Sequence, residues 1–218
     1  MHLLRGRPAS RKIAPLILLA TLALAACGDG AAGTTTTAAP ATTTAAISGE
    51  VLVFAAASLT DAFGELGAAF EATHPGVTIT LNLAASSALR EQIVAGAPAD
   101  VFASASIDDI NQLAAAGALG SQAQVFARNS MTIAVPAGNA AGITGLADFA
   151  NAELLIGLCA EEVPCGRYGR MVLASAGIVP SLDSNEPDVR SLLTKIEAGE
   201  LDAGIVYLTD VAAAGDRV

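Results

Sequence analysis

The residues with most chemical potential in this sequence stand where strands hand over to helices. Ala55-Ala56-Ala57-Ser58-Leu59-Thr60-Asp61 places a hydroxyl directly after a short apolar run. Ala84-Ala85-Ser86-Ser87-Ala88-Leu89 repeats the arrangement, and Val163-Pro164-Cys165-Gly166-Arg167-Tyr168 forms a turn before a third helix. A helix start offers N–H groups that no intrahelical carbonyl accepts, with about half a positive charge. Several such ends aimed at one cleft bind an anion without any cationic side chain. Plain capping explains each junction taken singly, because serine is a favoured N-cap.

Other chemistries are poorly served. His74 is the one histidine beyond the first dozen residues, and it precedes Pro75-Gly76 in a turn. A Ser–His–Asp hydrolase built on Ser58 or Ser86 would have to recruit it from the far end of the first helix. No Cys/His spacing suits zinc. Asp61, Glu65, Asp108-Asp109 and Glu161-Glu162 read as first-turn or solvated charges, with no convincing carboxylate pair for acid–base work. Gly117-Ala118-Leu119-Gly120 is too weak for a phosphate loop, and no Gly-Lys-Ser/Thr occurs. Cys159 and Cys165 are six apart. A disulfide bracing the Val163-Pro164-Cys165 turn is expected of them in an oxidising compartment; two free thiols or a metal pair are the alternatives.

The compartment is legible at the N-terminus. Arg5, Arg7, Arg11 and Lys12 precede an apolar run from Ile13 to Ala26. At 14 residues that run is shorter than the ~20 a membrane span needs, and it suits a signal peptide over 1–26. Leu24-Ala25-Ala26-Cys27 resembles a bacterial lipobox, which implies lipidation of Cys27; a plain secretory signal or membrane anchor is the alternative. Residues 27–47 are rich in Thr and Ala and read as a flexible tether, with Thr34–Thr37 and Thr42–Thr44 as candidate O-glycosylation positions. All 21 acidic residues but only seven of the 11 basic ones lie beyond Cys27, so the mature chain carries a balance of -14. No basic cluster follows, which argues against a nucleic-acid partner. Hydrophobic residues at 53% and charged ones at 15% exclude a disordered chain or a coiled coil.

The elements that must position these junctions alternate along the chain. Strands are expected at 51–55, 77–81, 100–103, 131–135, 154–158 and 203–206. Helices are expected from Leu59 with Phe63, Leu66 and Phe70 on one face, at 87–95 with Leu89, Ile93 and Val94 on one face, and at 108–116, 168–176, 188–198 and from Asp210. Such alternation implies βαβ units and mostly parallel sheets. The layout is two α/β lobes, 48–129 (completed by 207–218) and 130–206, with ligand in the cleft beyond the strands' carboxyl ends.

Three stretches carry a resemblance. Val53-Phe54-Ala55-Ala56-Ala57-Ser58-Leu59-Thr60-Asp61-Ala62 resembles the opening strand and helix of the periplasmic molybdate-binding proteins of ABC transporters. Gly96-Ala97-Pro98-Ala99-Asp100-Val101-Phe102-Ala103-Ser104-Ala105 resembles that family's most distinctive stretch, and Gly204-Ile205-Val206-Tyr207-Leu208-Thr209-Asp210 its late strand. The resemblance implies a two-lobed, type II periplasmic-binding-protein-like α/β fold with a hinge. It implies a monomeric, extracytoplasmic binding protein, not an enzyme, that captures molybdate or tungstate without a cofactor and hands it to an ABC permease. Lipid on Cys27 would hold it at the outer face of the membrane.

The resemblance also implies a ligand set. Ser58 and Ser86 would each donate hydroxyl and amide, Cys165 (where the family often has Ala) and Val189 a backbone N–H, and Tyr207 its phenol from near the hinge. Seven neutral donors suit a dianion that has acceptor oxygens only, and tolerate an acidic chain because local dipoles outweigh distant screened charges. A donor-only pocket leaves the O–H of hydrogen phosphate unsatisfied. Sulfate or another oxyanion on the same fold is the nearest alternative; a serine hydrolase and a structural surface lipoprotein are more distant ones. Family members continue past the strand at 203–206, so the C-terminal part is expected to be truncated at Val218.

Overall fold

The computed structural model describes residues 47–218. The expected signal peptide, Cys27, and the tether as far as residue 46 with its threonine runs lie outside the described residues.

The first lobe is built on β1 (Gly49–Ala56), β2 (Val77–Ala84) and β3 (Val101–Ala103), paired in parallel in the order β2-β1-β3. Helices α1 (Thr60–Thr73), α2 (Ser86–Val94) and α3 (Ile107–Ala115) connect and follow them. Val53, Ala55 and Ala103 form its small core, with Leu59, Phe63, Ile79, Leu81 and Leu83 packed around. Residues 118–130 contain no helix or strand and lead to the second lobe. There β4 (Met131–Ala134), β5 (Ile156–Cys159), β6 (Ser184–Glu186) and β7 (Ala203–Tyr207) lie in the order β4-β7-β5-β6. Only the β4–β7 pair is antiparallel. Helices α4 (Pro164–Ser175), α5 (Val189–Glu197) and α6 (Leu208–Ala214) complete it.

Small residues set how closely helices approach this second sheet. A Cβ on Gly157 or Gly204 would stand 2.9 or 3.1 Å from Leu192 Cδ1. Two adjacent strands therefore leave one hollow, and the wholly buried Leu192 of α5 fills it. Phe149, Ile156, Leu158, Leu173 and Ile205 form a neighbouring cluster. A further cluster joins Ala57 and Ala85 of the first lobe to Cys165, Val189, Leu192, Val206 and Tyr207 of the second. The lobes thus touch through apolar atoms where the junction residues converge.

Three expectations need correction. In α1, Leu66 is 61% exposed and Phe70 is exposed as well, stacked on His74. The face against β2 is Phe63, Gly67 and Glu71: a Cβ on Gly67 would reach Ile79, and Glu71 Oε1 accepts the Ile79 N–H at 2.6 Å. A glycine and a carboxylate, neither counted as apolar, rotate the buried face by about one residue. In α2, Leu89 is buried but Val94 is exposed, at the last helical position. α4 begins at Pro164, not Tyr168, because proline suits the first helical turn, where its missing N–H costs nothing. Residues 208–214 form α6, which packs on β4, β7 and α5, and the Tyr207 N–H donates to Asp210 Oδ2 at 2.9 Å at its start. The short β6 was not expected at all; its sequence, Ser-Asn-Glu, carries no apolar signal.

Replacing Leu192 with Ala opens a cavity that the two glycines cannot fill. We expect a loss of about 2–5 kcal/mol of unfolding free energy, measured by denaturant titration.

Candidate functional site

One cavity collects the junctions. It is lined by Ala56, Ala57 and Ser58, by Ala85, Ser86 and Ala105, by Pro164, Cys165, Asp188 and Val189, and by Tyr207. All five residues singled out for ligand binding (Ser58, Ser86, Cys165, Val189 and Tyr207) therefore stand around the same space, two from one lobe and three from the other. The space left between them is about 10 Å³, room for one water. A four-oxygen ion is larger, so admitting one requires the lobes to part slightly.

The serines are not caps. α1 has Leu59 at its N-cap position and α2 has Ala85, neither with a capping side chain. Ser58 lies inside a 3-10 turn, Ala57–Leu59, pinned by the Thr60 hydroxyl donating to the Ala57 carbonyl at 2.7 Å. Its own hydroxyl has no hydrogen-bond partner among the described residues. Ser86 is buried at the first position of α2, and its Oγ accepts the Ala105 N–H at 2.9 Å. That bond leaves the hydroxyl proton as the free donor. It also explains what the stretch ending at Ala105 does: it orients Ser86.

The third junction is braced from three sides. A Cβ on Gly166 would collide with the Ala160 carbonyl, so only glycine lets α4 begin so close to the preceding turn. Cys159 and Cys165 are joined by a disulfide, with Cα atoms 5.7 Å apart. Arg170 Nη1 donates to the carbonyls of Cys159 and Gly166 at 2.7 and 3.2 Å. Cys165 is thereby held in the first turn of α4, where backbone N–H groups have no intrahelical acceptor. Val189 holds the same position in α5. Asp188 before it is a carboxylate in the cavity wall, turned to cap its own helix by accepting the Ser191 N–H at 2.9 Å.

Tyr207 ends β7 at 5% exposure, and its hydroxyl is buried without a partner among the described residues. Burial, with Tyr168 and Asp210 nearby, pushes the phenol well above its usual range, so it remains an O–H donor at any physiological pH. Burial likewise pushes Asp210 up to about 6, against the lowering effects of the Tyr207 N–H and Arg190.

Five charged residues beside the cavity were not expected to interact. Arg167, two residues after Cys165, reaches across to the first lobe: Nη2 donates to Ser106 Oγ at 3.1 Å and to Asp109 Oδ2 at 3.0 Å. Asp109 lies in the first turn of α3, one of the two places expected of it, and is wholly buried there, with Arg90 Nη1 3.4 Å away. Arg190, next to Val189, pairs with Asp61 of α1. The adjacency of each arginine to a junction was visible in the chain; the acids that meet them come from the other lobe. His74 ends α1, about 20 Å along the helix from the Ser58 turn, and β2 runs from its vicinity to the Ser86 junction. No serine–histidine pair is formed.

This geometry belongs to a known group. Residues 51–218 match the family of bacterial extracellular solute-binding proteins. The chain belongs to that family. Among its relatives is the molybdate-binding protein ModA of Mycobacterium tuberculosis, 39% identical over 168 residues, covering 77% of this chain and 64% of that protein. ModA of Escherichia coli is 34% identical over 182 residues, covering 78% of this chain and 70% of the relative. The chain thus spans just under two thirds of the length of the mycobacterial relative. The fold is shared with the periplasmic molybdate-binding protein of Azotobacter vinelandii, at TM-score 0.63 and 23% identity over 76% of this chain and 75% of that one. It is equally shared with the sulfate-binding protein SubI of M. tuberculosis, at TM-score 0.62 and 18% identity over 76% and 67%. The chain therefore has the two-lobed α/β fold of the extracellular solute-binding family to which it belongs. Among its described residues no helix is long and apolar enough to cross a membrane.

For this solute-binding protein the Asp210 carboxyl gives a signed pH effect. Its folded pKa lies above the unfolded value near 3.8. The stability it contributes is present below pH ~4 and lost as pH rises to ~6. Asp210→Asn should leave stability unchanged at pH 4 and raise it at pH 7, by about 2–3 kcal/mol, in urea titrations at the two pH values.

Proposed function

We propose that this protein captures molybdate, or the isosteric tungstate, by wrapping it in uncharged donors between the two lobes. The observation that carries the reading is the Tyr207 hydroxyl: a donor out of water, without an acceptor, in a wall shared with Ser58, Ser86 and the first turns of α4 and α5. A buried donor left unmade costs about 1–3 kcal/mol, so this arrangement favours a ligand rich in acceptors. A tetrahedral dianion supplies four oxygens and no donor. The names of the relatives support the choice of molybdate; the fold, shared with a sulfate binder, does not choose.

In this reading Ser58 and Ser86 donate hydroxyl and amide, Cys165 and Val189 donate backbone N–H groups, and Tyr207 donates its phenol. The Cys165 side chain is spent on the disulfide, so a cysteine in place of the relatives' smaller residue does not weaken the site. No cofactor takes part. The chain acts as a monomer, anchored by lipid at Cys27 to the outer face of the membrane, and passes the ion to an ABC permease.

Calorimetric titration of the chain from Cys27 onward tests the reading. Molybdate and tungstate should bind one to one, more tightly than sulfate, with hydrogen phosphate weakest. Tighter sulfate binding would move the assignment to sulfate, and no binding of any of these ions would overturn it. Ser86→Ala and Tyr207→Phe should each weaken molybdate by roughly ten- to a hundredfold, the value of one hydrogen bond to a charged group. Tyr207→Phe should not lower the melting temperature, since the hydroxyl it removes has no partner within the protein.

A further inference from the structure

The two arginines beside the cavity share a pattern. Arg167 follows the Cys165 donor by two residues and Arg190 follows the Val189 donor by one. Each leaves its own lobe and meets an acid of the other. Those acids sit next to the first lobe's donors in turn: Asp61 is three residues after Ser58, and Asp109 is on the helix capped by Ser106, whose neighbour Ala105 holds Ser86. Two ion pairs thus bracket the cavity, and neither guanidinium is free to enter it.

We propose that Arg167 and Arg190 are closure residues, positioning groups that hold the lobes together over the ligand and set its rate of release. The proposal rests on the functional reading above. Opening the cleft has to break both pairs, in the loaded protein and in the empty one alike. Losing them therefore speeds dissociation directly, and leaves association unchanged or faster, never slower.

They differ in strength. Asp109 is wholly buried and the Arg167 side chain about one quarter exposed, so water screens this pair little. The Arg190 and Asp61 side chains are 31% and 53% exposed, so this pair is weaker and sensitive to salt. Arg90 Nη1 of the same lobe stays 3.4 Å from Asp109 but makes no hydrogen bond to it, so Arg167 supplies the carboxylate's one hydrogen bond among the described residues. Arg167→Gln keeps an amide donor while removing the charge that crosses the cleft, and its melting temperature is measured beside its release rate.

The test uses stopped-flow displacement of bound molybdate by excess tungstate, on the chain from Cys27 onward. Release should be roughly tenfold faster in Arg167→Gln and two- to threefold faster in Arg190→Gln, with association equal to the parent's or faster. Asp61→Asn/Arg190→Gln should release no faster than Arg190→Gln alone, and the reversed pair Asp61→Arg/Arg190→Asp should recover slow release. Raising salt from 50 to 500 mM should speed release in the parent but less so in the Asp61→Asn/Arg190→Gln variant. Unchanged release in both single variants would overturn the proposal. So would slowed association with unchanged release.

A second measurement keeps the two readings apart. Spin labels at the exposed positions Ala72 and Val179, one on each lobe, report the inter-lobe distance without any ligand. Arg167→Gln/Arg190→Gln should lengthen and broaden that distance. If the parent binds no oxyanion but the distance still responds, the functional reading falls and the latch stands. If the distance does not respond, the latch falls.

Discussion

Everything at the centre of this molecule follows from one constraint: hydrogen-bond donors removed from water require acceptors. The Tyr207 hydroxyl is buried without a partner, and helix starts around it present N–H groups that their own helices do not use. A site made this way, lined by uncharged donors, suits an acceptor-rich ion. The same constraint explains the apolar contact between the lobes, since a dry wall strengthens every bond made inside it.

Charge is managed by placement. The chain beyond Cys27 is strongly acidic, yet the nearest carboxylates are occupied. Asp188 caps α5, Asp210 accepts the N–H of Tyr207, and Asp61 and Asp109 hold the two arginines that cross the cleft. Lysine or arginine inside the cavity would attract any anion. Dipoles fixed by the backbone attract it by geometry instead, and geometry distinguishes one oxyanion's protonation state from another's.

Glycines and alanines make these approaches possible. Gly166 lets α4 start against the Ala160 carbonyl, while Gly157 and Gly204 admit Leu192 between sheet and helix. Gly67 rotates α1 so that Phe63 and Glu71, not Leu66 and Phe70, face the sheet. A low aromatic content is thus a packing device here: thin side chains let helix ends converge on one small volume.

Much of this was legible along the chain. Apolar runs such as Val51–Ala55 and Ala203–Val206 are strands because continuous burial on both faces leaves no other reading, and the serine junctions follow from their place after those strands. The resemblance singled out Val189 and Tyr207, which local pattern alone did not. β6 and the true face of α1 were hidden because pairing and glycine contacts carry no periodic signal. Order along the chain therefore determined most of the elements and the junction residues between them, but not β6 or the start of α4. Tertiary structure alone decided that five such residues face one cavity, that Ser86 is oriented by Ala105 rather than by its own helix, and that Arg167 meets a buried Asp109. Those are relations between segments far apart in sequence, and only their packing in space brings them within hydrogen-bond reach.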